Sequence, residues 1–274
     1  IQRYGRNPSG PLESLPATTL GYTTKTNTWT DASSTWPMPE SFIYNQSDVG
    51  VRVVDVNGDG LVDVVRSGYD GQELKRVYLN TGNGWGPNNA TWADSLPNYR
   101  LSSRSIRVAD INGYNLVDII YAPRTGNSEV YLNNGSGLTL DFDWFVPDRF
   151  LDTDTWGNDY DAGVRLFDVD KDGLVDFVRS SSVVNNYGYD VVTTIKKVYL
   201  NTGSGWNSTI DANYTDGLTV LFSDYRYVDN GIRIADINND GLVDIISGYD
   251  GQRKTYLNIG AGWSEDTTWT PPVA

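Results

Sequence analysis

A nine-residue acidic loop recurs four times in this chain. It reads DVNGDGLVD at Asp55–Asp63, DINGYNLVD at Asp110–Asp118, DVDKDGLVD at Asp168–Asp176 and DINNDGLVD at Asp236–Asp244. Four copies of one unit define a repeat architecture, in which each unit buries its apolar face on its neighbour. A short β-branched stretch leads into every loop (VRVVD, IRVAD, VRLFD, IRIAD), and another leaves it (VDVVRS, VDIIY, VDFVRS, VDIIS). Such stretches fit pleated strands.

A third strand follows: VYLNTGNGW at Val77, VYLNNGSGL at Val130, VYLNTGSGW at Val198 and TYLNIGAGW at Thr255. A fourth extended piece, such as WGPNNATW or WNSTIDANY, comes after it. Leu79, Leu132, Leu200 and Leu257 of the third strand are spaced by 53, 68 and 57 residues. Four antiparallel strands in a unit of that size predict a propeller blade, and no long stretch has helical periodicity. The expected fold is therefore all-β, a β-propeller of four-stranded antiparallel blades with four full repeats plus a half unit. The half unit is residues 18–36, which read as the third and fourth strands of a blade without its loop. Residues 1–17, punctuated by Gly5, Pro8, Gly10, Pro11 and Pro16, read as an arm or linker that could pack on a second copy, and 18–274 as the propeller domain.

The loop chemistry points to a hard cation. Calcium takes six to eight oxygens, and alternate acidic residues in a tight loop supply them. The expected ligands are Asp55, Asn57, Asp59, Leu61 and Asp63 in the first loop, and Asp168, Asp170, Asp172, Leu174 and Asp176 in the third. In the fourth they are Asp236, Asn238, Asp240, Leu242 and Asp244. The leucines would contribute backbone carbonyls. The second loop offers Asp110, Asn112 and Asp118, but has Tyr114 and Asn115 where the others have Asp-Gly. Ligand charge helps set affinity, so the third loop should bind Ca2+ tightest, and the second should be weakest or empty. An EF-hand would need an acid at loop position 12; here Arg66, Tyr121, Arg179 and Ser247 stand there. The duller alternative is that these loops are Asx-rich turns without metal.

Net charge is −14, and the four loops hold 12 of the 35 acids. Three bound calcium ions would bring the balance to about −8. An acidic surface argues against a nucleic-acid partner, and no run of apolar residues is long enough for a membrane span. With neither His nor Cys, the commonest general base and the usual zinc ligands are missing.

The motif D-x-[DN]-x-D-G-L-x-D between two short strands resembles the FG-GAP and VCBS repeats of integrin-α-like β-propellers, over roughly residues 20–270. That resemblance implies a calcium-binding propeller, secreted or on a cell surface, whose ligand face is the rim opposite the calcium loops. The connection between second and third strands lies on that rim by strand alternation, and it carries Tyr69 and Asp70, Tyr189 and Asp190, and Tyr249 and Asp250, each pair after a glycine. Aromatic plus carboxylate suits a sugar or a basic protein loop; the alternative is a repeated glycine turn. The long connection 143–161 adds Trp144, Phe145, Trp156 and Tyr160, and loops of that length on a rigid scaffold tend to carry function. Trp85, Trp206 and Trp263, with Leu138 and Trp29 in the same register, read as blade packing rather than sugar platforms. Arg52, Arg107, Arg165 and Arg233, each three residues before a loop, could ring an anion or pair with an Asp between blades; the second reading is favoured.

The function expected from these features is a non-enzymatic recognition or adhesion module for a glycan or protein ligand, with calcium stabilising the blades. The alternatives are a structural segment of a larger surface or toxin assembly and, with less support, a polysaccharide lyase, which would need a base other than His.

Overall fold

The computed structural model describes residues 4–5, 13–14, 32–34, 36–69, 73–154, 157–184, 191–223, 230–249 and 252–269. The chain divides into Ile1–Pro37 and Met38–Ala274. In the first unit β1 (Tyr4–Gly5) pairs antiparallel with β2 (Glu13–Ser14). The expected half unit at 18–36 falls almost wholly outside the described residues, Trp29 included.

The second unit is all-β, with four antiparallel blades arranged as a four-blade β-propeller. A hairpin of β3 (Ile43–Tyr44) and β4 (Ser47–Asp48) leads into blade I, which is β5 (Val51–Val54), β6 (Asp63–Tyr69), β7 (Glu73–Asn80) and β8 (Trp85–Asn88). Helix α1 (Ala90–Ser95) follows. Blade II is β9 (Ile106–Ala109), β10 (Asp118–Tyr121), β11 (Glu129–Asn133) and β12 (Leu138–Asp141). A second hairpin, β13 (Leu151–Thr153) with β14 (Asp159–Asp161), precedes blade III, which is β15 (Val164–Phe167), β16 (Asp176–Val184) and β17 (Val191–Tyr199). After α2 (Ala212–Gly217), blade IV is β18 (Ile232–Ala235), β19 (Asp244–Tyr249), β20 (Gln252–Asn258) and β21 (Trp263–Asp266). In every blade the acidic loop joins the first and second strands, as the repeat predicts.

Two stretches read as fourth strands behave differently. In WGPNNATW, β8 stops at Asn88, and the Asn89 side chain then accepts the Trp92 backbone N–H at 3.2 Å and caps α1. In WNSTIDANY only a bridge from Trp206 to Asn201 forms, and Asp211 caps α2 through the Tyr214 N–H at 3.1 Å. An Asx cap before a short turn outcompetes further pairing. The turns deliver Trp92 and Tyr214 into the core, and both are buried.

The core lies between blades. Val56, Val65 and Val77 of blade I pack with Ile106 and Ile119 of blade II. Ile111, Ile120 and Val130 of blade II pack with Phe177, Tyr199 and Trp206 of blade III. Val169, Val178 and Val198 of blade III pack with Ile245, Tyr256 and Trp263 of blade IV. The same repeat positions recur because successive strand residues face opposite sides of a blade. Each fully buried aliphatic or aromatic side chain adds about 1.5–3 kcal/mol. Trp206 and Trp263 are buried, and Trp85 and Leu138 pack against clusters, in line with the packing reading. From the long connection, Trp144 and Tyr160 are also buried, so they serve the core, whereas Phe145 is exposed. Among the described residues no helix is long and apolar enough to cross a membrane.

Candidate metal centre and the opposite rim

All four loops have the same backbone. Positions 4 and 6 take positive φ: Gly58 and Gly60, Gly113 and Asn115, Lys171 and Gly173, Asn239 and Gly241. Glycine and asparagine reach that region at low cost; Lys171, at φ 67°, does not. The first aspartate fixes the bend by accepting two backbone N–H groups. In the third loop Lys171 donates to Asp168 Oδ1 at 2.6 Å and Gly173 to Oδ2 at 2.9 Å. In the first, Gly58 and Gly60 both donate to Asp55 at 2.8 Å. The loops are thus Asx turns in geometry, and those hydrogen bonds also pre-set the carboxylate oxygens.

The ninth residue ties each loop into the sheet. Asp63, Asp118, Asp176 and Asp244 are fully buried. Asp176 accepts the Val169 N–H at 2.7 Å and the Asn201 N–H at 2.8 Å, and the same pair of bonds recurs at Asp63, Asp118 and Asp244. The donor at the third strand is always the asparagine of the YLN triplet. Its side chain does more. The amides of Asn133, Asn201 and Asn258 donate to the carbonyls of Val56, Ile111 and Val169 in the preceding blade, at 2.8, 2.8 and 2.7 Å. The recurrence of this asparagine in all four YLN triplets, at Asn80, Asn133, Asn201 and Asn258, is the sequence signal for this role.

The loops differ at their mouths. In the third, one carboxylate oxygen from each of Asp168, Asp170 and Asp176 lies within 4.8 Å of the others, a cluster that could hold a metal ion. Burial pushes the Asp176 carboxyl up to about 7, against the hydrogen bonds from Val169 and Asn201 and with the charges of Asp170 and Asp172 adding to it. Asp172 instead accepts the Leu174 N–H at 2.8 Å. Among the described residues no second cluster of three carboxylates forms. In the first and fourth loops the Asn57 and Asn238 amides donate to Asp59 and Asp240 at 3.0 and 2.9 Å; an amide donor satisfies the carboxylate that Asp170 would repel. In the second loop Asn112 accepts the Tyr114 N–H at 3.1 Å, and the Tyr114 side chain is 74% exposed. Burial raises the Asp118 carboxyl to about 6. The donor set of the third loop, all carboxylate oxygen with no cationic side chain among its members, fits a hard cation.

Cations collect at the other end of the strands. Position 12, which excludes an EF-hand, holds buried ion pairs in two blades. Arg66 pairs with Glu40, which also binds Arg76 at 2.8 Å and Tyr78 at 2.9 Å. Arg179 pairs with Asp148 at 2.8 Å and with Asp152, and Lys197 reaches Asp148 at 2.8 Å. Arg52, Arg107, Arg165 and Arg233 each donate to the carbonyl of the preceding residue at 2.8–2.9 Å. Arg52 pairs with Asp48 at 3.0 Å, while Arg165 at 2.9 Å and Arg107 at 3.6 Å share Asp161. The Arg107–Asp161 contact spans blade II and the segment entering blade III, as the pairing reading expects.

Of the expected rim ligands, Tyr69 ends β6, is 49% exposed, and lies 4.7 Å beneath the Arg100 guanidinium. Tyr249 ends β19, but its side chain, like Asp70, Tyr189, Asp190, Asp250 and Trp156, lies outside the described residues. The glycine before Tyr69 has a packing reason, since a Cβ on Gly68 would sit 1.7 Å from the Val49 carbonyl oxygen.

No family model matches the chain, and no curated protein matches it. Among solved structures it is similar to a chain of the Photorhabdus luminescens Tc holotoxin pore, at 18% identity and TM-score 0.50, over 81% of this chain and 9% of that one. It is also similar to an Agrocybe aegerita lectin described for specific recognition of non-reducing terminal N-acetylglucosamine, at 18% identity and TM-score 0.49, over 80% of this chain and 52% of the lectin. The chain thus spans a small part of the first and about half of the second. The first likeness supports the propeller fold and nothing finer.

Proposed function

We propose that this chain is a calcium-stabilised recognition propeller of the FG-GAP and VCBS kind, secreted or cell-surface, that binds a glycan or protein ligand without catalysis. The convergence of Asp168, Asp170 and Asp176 carries the reading, in a loop tied to blade III through Asn201 and to blade IV through the Asn258 amide on the Val169 carbonyl. Asp168, Asp170, Asp172 and Asp176, with the Leu174 carbonyl, would hold the ion; the first and fourth loops would take weaker ones after their asparagine amides turn. Calcium would neutralise the buried carboxylates and clamp the strand ends, which is a structural service. The ligand then falls to the opposite rim, where exposed Tyr69 under Arg100 offers an aromatic face beside a cation; such rims on rigid scaffolds suit recognition. A glycan array probed in calcium and in EDTA tests this. Hits that weaken in EDTA support the lectin form. Silence on glycans together with capture of a protein ligand supports the protein form, and silence on both, with the protein locked in an oligomer by light scattering, replaces recognition with assembly.

A further inference from the structure

A groove of about 600 Å³ runs between the first strands of blades I and II. Arg52, Arg104 and Arg107 line it with the hydroxyl residues Ser102 and Ser103, and no carboxylate-bearing residue does. Its charge is only partly matched. Arg52 has Asp48 at 3.0 Å. Arg107 shares Asp161 with Arg165, so one carboxylate faces two guanidiniums. Arg104 is exposed; among the described residues the one hydrogen bond its side chain makes is to the Asp159 carbonyl at 3.5 Å, and no carboxylate pairs with it. The Arg107 guanidinium is held in place from behind, 4.7 Å over the Phe150 ring and donating to the Arg104 and Ile106 carbonyls. A cationic groove with fixed donors, in a chain of net charge −14, is not explained by general charge balance.

We propose that this groove binds an oxyanion group, a sulfate or carboxylate, through Arg104 and Arg107 with Arg52 at its edge. Guanidinium forks match oxyanion geometry and bind it through charge-assisted hydrogen bonds. The inference rests on the recognition reading and names the chemistry of a ligand for it.

The test is calorimetry on the full chain in calcium at low ionic strength, with inorganic sulfate, glucuronate, a sulfated disaccharide and, as neutral control, N-acetylglucosamine. Sulfate or glucuronate binding marks the bare oxyanion as sufficient; binding of the disaccharide alone marks a saccharide substituent as the source. Either is expected to weaken by about tenfold in Arg104→Gln, the loss of one charge-assisted bond, with the melting temperature unchanged, and to fade in high salt. Arg52→Gln serves as the second variant. Absence of binding by all three anions, or binding unaltered in both variants, overturns the groove. The two readings fail separately. Array hits together with no calorimetric binding of any of the three anions count against the groove alone, whereas an empty array with sulfate still bound counts against recognition alone.

Discussion

The side-chain amide of Asn201 in blade III donates to the backbone carbonyl of Ile111 in the acidic loop of blade II, across 2.8 Å of buried space. The same amide also bonds Val175, and its oxygen accepts the Gly203 N–H at 2.9 Å. One residue therefore ties two loops and a turn together. Asn201→Ala would strand buried polar groups, each costing about 1–3 kcal/mol. The expected loss is about 2–5 kcal/mol in urea unfolding. Asn80, whose amide among the described residues reaches only the Val62 carbonyl of its own blade, at 3.0 Å, should lose clearly less on Asn80→Ala. Equal losses in the two variants would remove the inter-blade role.

Glu40 should be a stability hot spot. Its carboxylate faces Arg66, whose side chain is 5% exposed, along with Arg76 and Tyr78. Removing one partner of a buried pair costs about 3–5 kcal/mol, so Glu40→Gln should unfold at markedly lower urea concentration, while Lys254→Ala, which breaks an exposed pair with Glu265, should change stability by at most about 1 kcal/mol.

The same residue gives a pH signature. Burial pushes the Glu40 carboxyl up, and hydrogen bonds from Arg76, Arg66 and Tyr78 outweigh it, so the folded-state value lies below the ordinary 4.5. Its contribution is then complete above pH 4.5 and is lost as pH falls through the depressed folded value. Urea unfolding midpoints followed from pH 6 downward, a range of about 3 units, should fall less steeply for Glu40→Gln than for the natural chain. Parallel acid limbs would rule out the linkage.

The second loop should be repairable. Tyr114 and Asn115 replace the Asp-Gly of the other copies, and Tyr114 is 74% exposed. Tyr114→Asp with Asn115→Gly restores a position-5 carboxylate and removes a left-handed non-glycine residue (φ 57°). Calcium stoichiometry by equilibrium dialysis should rise by one in the double variant. An unchanged stoichiometry would mean that this loop lacks a usable carbonyl or water shell.

The fold was legible because four copies carry the same period-two strands and the same loop. The caps at Asn89 and Asp211 leave no periodic trace in the sequence, because a six-residue helix has too few turns for periodicity to register. The loop acids were readable one by one, but their convergence was not. Asp at position 3 brings a third carboxylate to the cluster, whereas Asn57 and Asn238 turn an amide donor toward their neighbours. The buried partners of Arg66 and Arg179 lie 26 and 27 residues upstream, where no local pattern points. Arg52, Arg107 and Arg165 were visible as a register, yet the unmatched Arg104 sits outside the repeat and emerges only from the packing of blades I and II.

The central claim is that the acidic loops are calcium staples, the third foremost. Thermal unfolding after EDTA treatment, repeated with calcium restored to about 10 mM, tests it most directly. With extracellular-type affinities of about 0.1–1 mM, each occupied site adds about 1.4–2.7 kcal/mol and should raise the melting temperature by about 3–10 °C. Asp170→Asn should lose the largest share of that rise. A melting temperature that is the same in EDTA and in calcium, for the natural chain and for Asp170→Asn alike, would contradict the account and leave the loops as Asx turns alone.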